Sequence, residues 1–124
     1  MLKFQASVHG GTAEQLGPLT MTFDAVEVSL QRLPRMFIEP DGSFVWTGTS
    51  AQDERWQVDG NLIDQGDVLA YVELKGCCPE DPFDLLLRAL GWPEAKIVFQ
   101  LTQRGVTLDE AAFRQLAASE MGAV

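Results

Sequence analysis

The sequence predicts one α+β domain over residues 1–124: an antiparallel, hairpin-built, twisted sheet of about six or seven strands with two helices packed on one face. Three observations carry that reading. Apolar residues alternate with polar ones in runs across the first 74 residues. Two of these runs are joined by turns with glycine at the third loop position. After residue 80 the apolar spacing changes to a helical period, bounded by start and stop signals.

Leu2, Phe4, Ala6 and Val8 alternate with Lys3, Gln5 and Ser7, the pattern of a half-buried strand. His9 to Pro18 reads as a glycine-rich loop. Leu19, Met21 and Phe23 alternate again, and Val26, Val28 and Leu30 continue with the parity reversed. Read as strand, that reversal at Asp24-Ala25 requires a bulge or a corner.

The two hairpins follow. In Glu39-Pro40-Asp41-Gly42-Ser43, Pro40 suits the first corner of the turn and Gly42 the left-handed residue that closes it. That register sets Ile38 against Phe44 and Met36 against Trp46 on one face. Ile63-Asp64-Gln65-Gly66-Asp67 has the same form. A three-residue loop there sets Leu62 against Val68, Gly60 against Ala70, Val58 against Val72 and Trp56 against Leu74, a continuous apolar face.

Two helices are expected near residues 80–90 and 107–120. Asp81 is placed to cap the first, with Pro82 in its first position and Asp84 complementing its dipole. Phe83, Leu86, Leu87 and Leu90 form its stripe, and Gly91 is its left-handed stop. Lys96 to Leu101 reads as a last strand. Thr107-Leu108-Asp109-Glu110 has the form of a capping box for the final helix, whose stripe is Phe113, Leu116 and Ala117. Met121 to Val124 are expected to fray.

Composition bounds the function. The apolar fraction of 46% supports one packed core rather than disorder. No window approaches the roughly 18 apolar residues of a membrane span. Met1 to Gln5 alternate at once, without the basic and apolar regions of a signal peptide. With only Cys77 and Cys78, no disulfide framework is expected, and the reading is a cytoplasmic protein. The formal charge of −9 is unevenly placed: all the excess lies between Glu39 and Asp84, where eleven acids meet only Arg55 and Lys75. Such a field disfavours nucleic acid and anionic membrane, and favours a basic protein partner or plain solubility, since charged loops and helix starts are ordinary.

No chemical motif survives scrutiny. Cys77-Cys78 lacks the further ligands of a metal site, and no metal or cofactor is expected. His9-Gly10-Gly11 has the form of an oxyanion loop, but no serine stands on the tight glycine turn such a mechanism needs. Pairing His9 with Cys77 or Cys78 as a dyad would require the first strand to end beside the first expected helix. Asp59 to Asp64 fails the calcium-loop pattern at its fifth and sixth positions, and no glycine pair has phosphate-loop spacing. Trp46, Trp56 and Trp92 are read as core rather than as a ligand pocket.

The hairpin register leaves Gln57, Asp59, Asn61, Leu69, Tyr71 and Glu73 on the second face, with Tyr71 across from Asp59 and Glu73 diagonal to it at about 7 Å. Two carboxylates and a phenol on an open sheet face suit acid–base chemistry or docking, and a flat face favours docking. The expectation is therefore a non-enzymatic protein-interaction module. Gln57, Asp59, Tyr71 and Glu73 are its partner-binding residues, and its acidic surface comes from the two hairpins and the start of the first expected helix. The alternatives are a small enzyme using the Cys/His or Asp/Glu pair and a small-molecule binder with a cavity between sheet and helices. Phe37 and Val45 point to the second face, and their coverage by another subunit would make the domain a homodimer.

Overall fold

The computed structural model describes residues 1–122, with side chains through residue 119. Eight strands and three helices are seen among the described residues: β1 (Leu2–Gly11), β2 (Leu16–Gly17), α1 (Phe23–Gln31), β3 (Met36–Ile38), β4 (Ser43–Thr49), β5 (Arg55–Gln65), β6 (Val68–Cys78), α2 (Glu80–Ala89), β7 (Val98–Leu101), β8 (Thr107–Asp109) and α3 (Glu110–Gly122). One sheet runs β3-β4-β5-β6-β1-β7-β8, with the short β2 on β1, and every neighbouring pair is antiparallel. Strands β6 and β7 flank β1 and so run parallel to each other, joined through α2.

The helix layer has three members where the sequence suggested two. Residues 23–31 form α1, not a strand. The reversed parity at Asp24-Ala25 is what a helical stripe of Phe23, Val26 and Leu30 looks like when scored on a period of two. Thr22 caps it, its hydroxyl accepting from the Ala25 N–H at 3.2 Å. Val26 and Leu30 are fully buried in the same core as Trp46, Val58, Leu62 and Phe83.

Local signals at the other helices were partly displaced. Helix α2 begins one residue before Asp81, with Pro79 as its cap and no side-chain cap bond. Its end follows the expected left-handed stop: Gly91 has φ 108°, with Trp92 N–H reaching Leu87 O at 3.1 Å and Gly91 N–H reaching Arg88 O at 3.1 Å. Thr107 lies in β8 instead of capping α3. Asp109 performs that role, its carboxylate accepting from the Ala112 N–H at 2.8 Å. Of Met121 to Val124, α3 includes the first two, and residues 123–124 lie outside the described residues.

The first hairpin has the predicted register, Met36↔Trp46 and Ile38↔Phe44, with Gly42 at φ 95°. The second does not. Its strands meet at Gln65↔Val68 around Gly66-Asp67, and the ladder runs Leu62↔Val72, Gly60↔Leu74 and Val58↔Gly76, four residues from the predicted pairing. A bulge separates Ile63↔Tyr71 from Asp64↔Leu69, leaving Ala70 as an extra residue. Val68 is therefore exposed and Leu69 buried, the reverse of expectation. Both registers bury Trp56, Val58, Leu62, Val72 and Leu74, so alternation alone does not choose between them.

The core is organised by aromatic rings. Phe99 of β7 and Phe113 of α3 stack at 4.1 Å between centroids, and Phe4 and Phe83 complete the group. Trp46 and Trp56 meet edge to face at 5.0 Å, with Trp46 Nε1 donating to Pro34 O at 2.8 Å. Both are core residues, as read. Arg114 joins α3 to α2: it pairs with Asp84 at 2.6 Å and with Glu110, and its guanidinium lies over the rings of Phe83 and Trp92.

Candidate functional site

The helices cover one face of the sheet, and the other face presents the side chains that alternate outward from β3 to β7. Reading the ladder across the strands gives transverse rows of side chains. One row is Phe37·Val45·Asp59·Lys75·Gln5, on β3, β4, β5, β6 and β1. A second is Ser43·Asn61·Glu73·Ser7·Gln100. Beyond it, Ile63 pairs with Tyr71 and His9 with Val98.

This arrangement redistributes the four candidate residues. Gln57 and Asp59 are together, the Gln57 amide donating to the Asp59 carboxylate at 2.9 Å. Glu73 remains a diagonal neighbour of Asp59, because it stands two residues from Lys75 on β6. Tyr71 is not across from Asp59; Lys75 is. Tyr71 instead stacks on His9, with centroids 5.2 Å apart, and His9 Nε2 is 2.8 Å from Ser7 Oγ. Burial in this group lowers the His9 pKa from its ordinary value.

The phenol and the two carboxylates therefore do not converge on one point. The charged outward residues of β1, β5 and β6 are Lys3, Arg55, Asp59, Glu73 and Lys75, so this face is mixed in sign rather than acidic. The His9–cysteine dyad is ruled out by the same ladder. Cys77 pairs with Lys3, six residues along β1 from His9, a separation of about 20 Å. Cys78 is fully buried, and that burial pushes its thiol up to about 12. Among the described residues no group of three or more His, Cys, Asp or Glu is placed to hold a metal ion. Among the described residues no helix is long and apolar enough to cross a membrane.

The acidic excess divides in two. Glu39, Asp41, Asp64 and Asp67 lie at the tips of the two hairpins. Those tips are adjacent, with Leu62 N–H donating to Gly42 O at 2.9 Å. Asp24, in the first turn of α1, joins them, because Phe23 packs beside Gly42. Asp53 and Glu54, and the acids that open α2, lie at the far end of β5 and β6, about 30 Å away along strands of eleven residues. The tip end is the purer of the two: no Lys or Arg occurs in residues 4–31, 36–54 or 56–74, the segments that build it. Asp41 there is held below the usual carboxylate range by the Ser43 hydroxyl and N–H, at 2.7 and 2.9 Å.

One feature of this face is apolar. Phe37, on the edge strand β3, is 66% exposed, and Val45 across from it is 39% exposed. The sequence indicated that both point outward. It carried no signal that Lys75 would stand across from Asp59, because that pairing depends on register. No protein family, curated protein or solved structure matches this chain.

Proposed function

We propose that the domain is a non-enzymatic protein-interaction module that docks a basic partner on its outer sheet face, between the β3 edge and the acidic hairpin tips. The supporting observation is the row Phe37·Val45·Asp59, in which an exposed aromatic pairs with a β-branched neighbour that itself stands across from a carboxylate. An aromatic anchor with a charged rim is the usual composition of a binding hot spot. The base-free tips supply a field that steers a cationic surface towards it. The partner is then a protein segment with an apolar side chain flanked by Lys or Arg. Two free, adjacent thiols accord with a cytoplasmic setting.

The test is capture of a basic partner by the native protein at low and high salt, compared with two variants. Phe37→Ser removes the anchor, and Asp59→Lys/Glu73→Lys reverses the rim. A stoichiometric partner lost in both variants and at high salt supports the reading. A partner retained by both abandons this face. Sedimentation distinguishes the homodimer: a dimer dispersed by Phe37→Ser makes the patch a self-interface.

A further inference from the structure

A second surface, remote from the hairpin tips, has the form of a ligand site. The last rung between β1 and β7 is Ala6↔Leu101, followed by Thr102 N–H to Gln5 O at 3.4 Å, so the Lys3–Phe4 stretch of β1 runs past β7 with no strand on that side among the described residues. The chain beyond β7 closes into a tight turn, with Gly105 N–H reaching Leu101 O at 3.0 Å, and α3 returns across β1. Between them lies a pocket of about 410 Å³. That volume falls within the ~300–1,000 Å³ of small-molecule sites.

The lining is sharply divided. Phe4, Leu101, Phe113, Leu116 and Ala117 make an apolar wall, while Lys3, Lys75 and Arg104 bring three of the nine basic residues to the same opening. Among the described residues no carboxylate lines it, although the chain carries twice as many acids as bases. Lys3 and Lys75 are diagonal neighbours on β1 and β6, since Lys3 pairs with Cys77 and Gln5 with Lys75. Like charges so placed repel, and among the described residues neither forms an ion pair. A bound anion removes that repulsion and gains charge-assisted hydrogen bonds from both ammonium groups.

We propose that this pocket binds a small amphipathic carboxylate, its apolar body against Phe4, Phe113 and Leu116 and its carboxylate between Lys3 and Lys75. Cys77, half-buried in the lining, reports occupancy, because Cys78 is inaccessible.

The experiment uses decanoate as probe, with decanol and acetate as the tail-only and head-only controls. Binding is read by calorimetry and by the rate at which a thiol reagent labels Cys77. Decanoate is expected to bind and to slow labelling, with either control at least about tenfold weaker. Lys3→Gln/Lys75→Gln alters only exposed side chains and is expected to keep its melting temperature while losing about tenfold in decanoate affinity. Equal binding of decanol and decanoate overturns the proposal, as does wild-type affinity in the double variant. Decanoate that binds without protecting Cys77 overturns it by placing the ligand elsewhere.

Discussion

The ring of Phe44 lies over Gly60, directly across the β4–β5 ladder, where a Cβ would come within 2.0 Å of it. Four residues further along β4 the arrangement is mirrored, with Trp56 over Gly48 at 2.2 Å. These are the two places where the sheet admits a large ring only because its partner has no side chain. Gly60→Ala and Gly48→Ala are each expected to destabilise the fold by about 1–3 kcal/mol through overpacking, measured by urea unfolding.

The register of the second hairpin is open to direct chemical test. In a Cys77→Ser background, cysteines introduced at 59 and 75 face each other at a separation a disulfide can bridge. Cysteines at 59 and 71 are about 13 Å out of register along the strand. Mild oxidation is expected to cross-link the first pair and not the second.

The single histidine gives a pH signature. Burial lowers the His9 pKa from 6.5, so the unfolded chain binds more protons than the folded one as pH falls through that value. The contribution to stability is complete above 6.5 and is lost as pH drops. The His9 Cε1 proton is expected to titrate with a midpoint below 6.5 by NMR. His9→Gln is expected to flatten the fall in urea midpoint between about pH 7.5 and 5.5.

The adjacent thiols are chemically unlike. Cys78 is fully buried and its thiol is pushed up to about 12, while Cys77 is partly exposed. A thiol reagent at about pH 8 is expected to modify one cysteine in the native protein and both after denaturation. Mass mapping should place the first label on Cys77.

Two phenylalanines make a contrasting pair. Phe113 is buried against Phe99, Phe4 and Phe83, and Phe113→Ala is expected to cost about 3–5 kcal/mol. Phe37 is largely exposed, and Phe37→Ala is expected to leave stability within about 0.5 kcal/mol while weakening partner capture. A stability loss at Phe37 comparable to that at Phe113 would show that it serves the fold rather than docking.

What the sequence determined by itself was local. Gly42, Gly66 and Gly91 adopt the left-handed conformations their turns and helix stop demand, because that demand is met within a few residues. The faces of β3, β4 and β5, and of β6 from Val72 onward, were equally legible, since alternation assigns inside and outside without reference to a partner; before Val72 the bulge at Ala70 reverses Val68 and Leu69. Residues 23–31 were misread because nine residues with Phe23, Val26 and Leu30 satisfy a broken strand almost as well as a helix; burial against the sheet decided for the helix. Tertiary structure alone chose the register of β5 on β6, since a period-two pattern is unchanged by any even shift. That choice decided which groups meet: Lys75 rather than Tyr71 faces Asp59, and Tyr71 is left to stack on His9. It likewise decided the basic pocket, whose residues come from β1, β6, the turn after β7 and α3. Those segments are adjacent only once the sheet order is set, and no spacing in the sequence encodes that order.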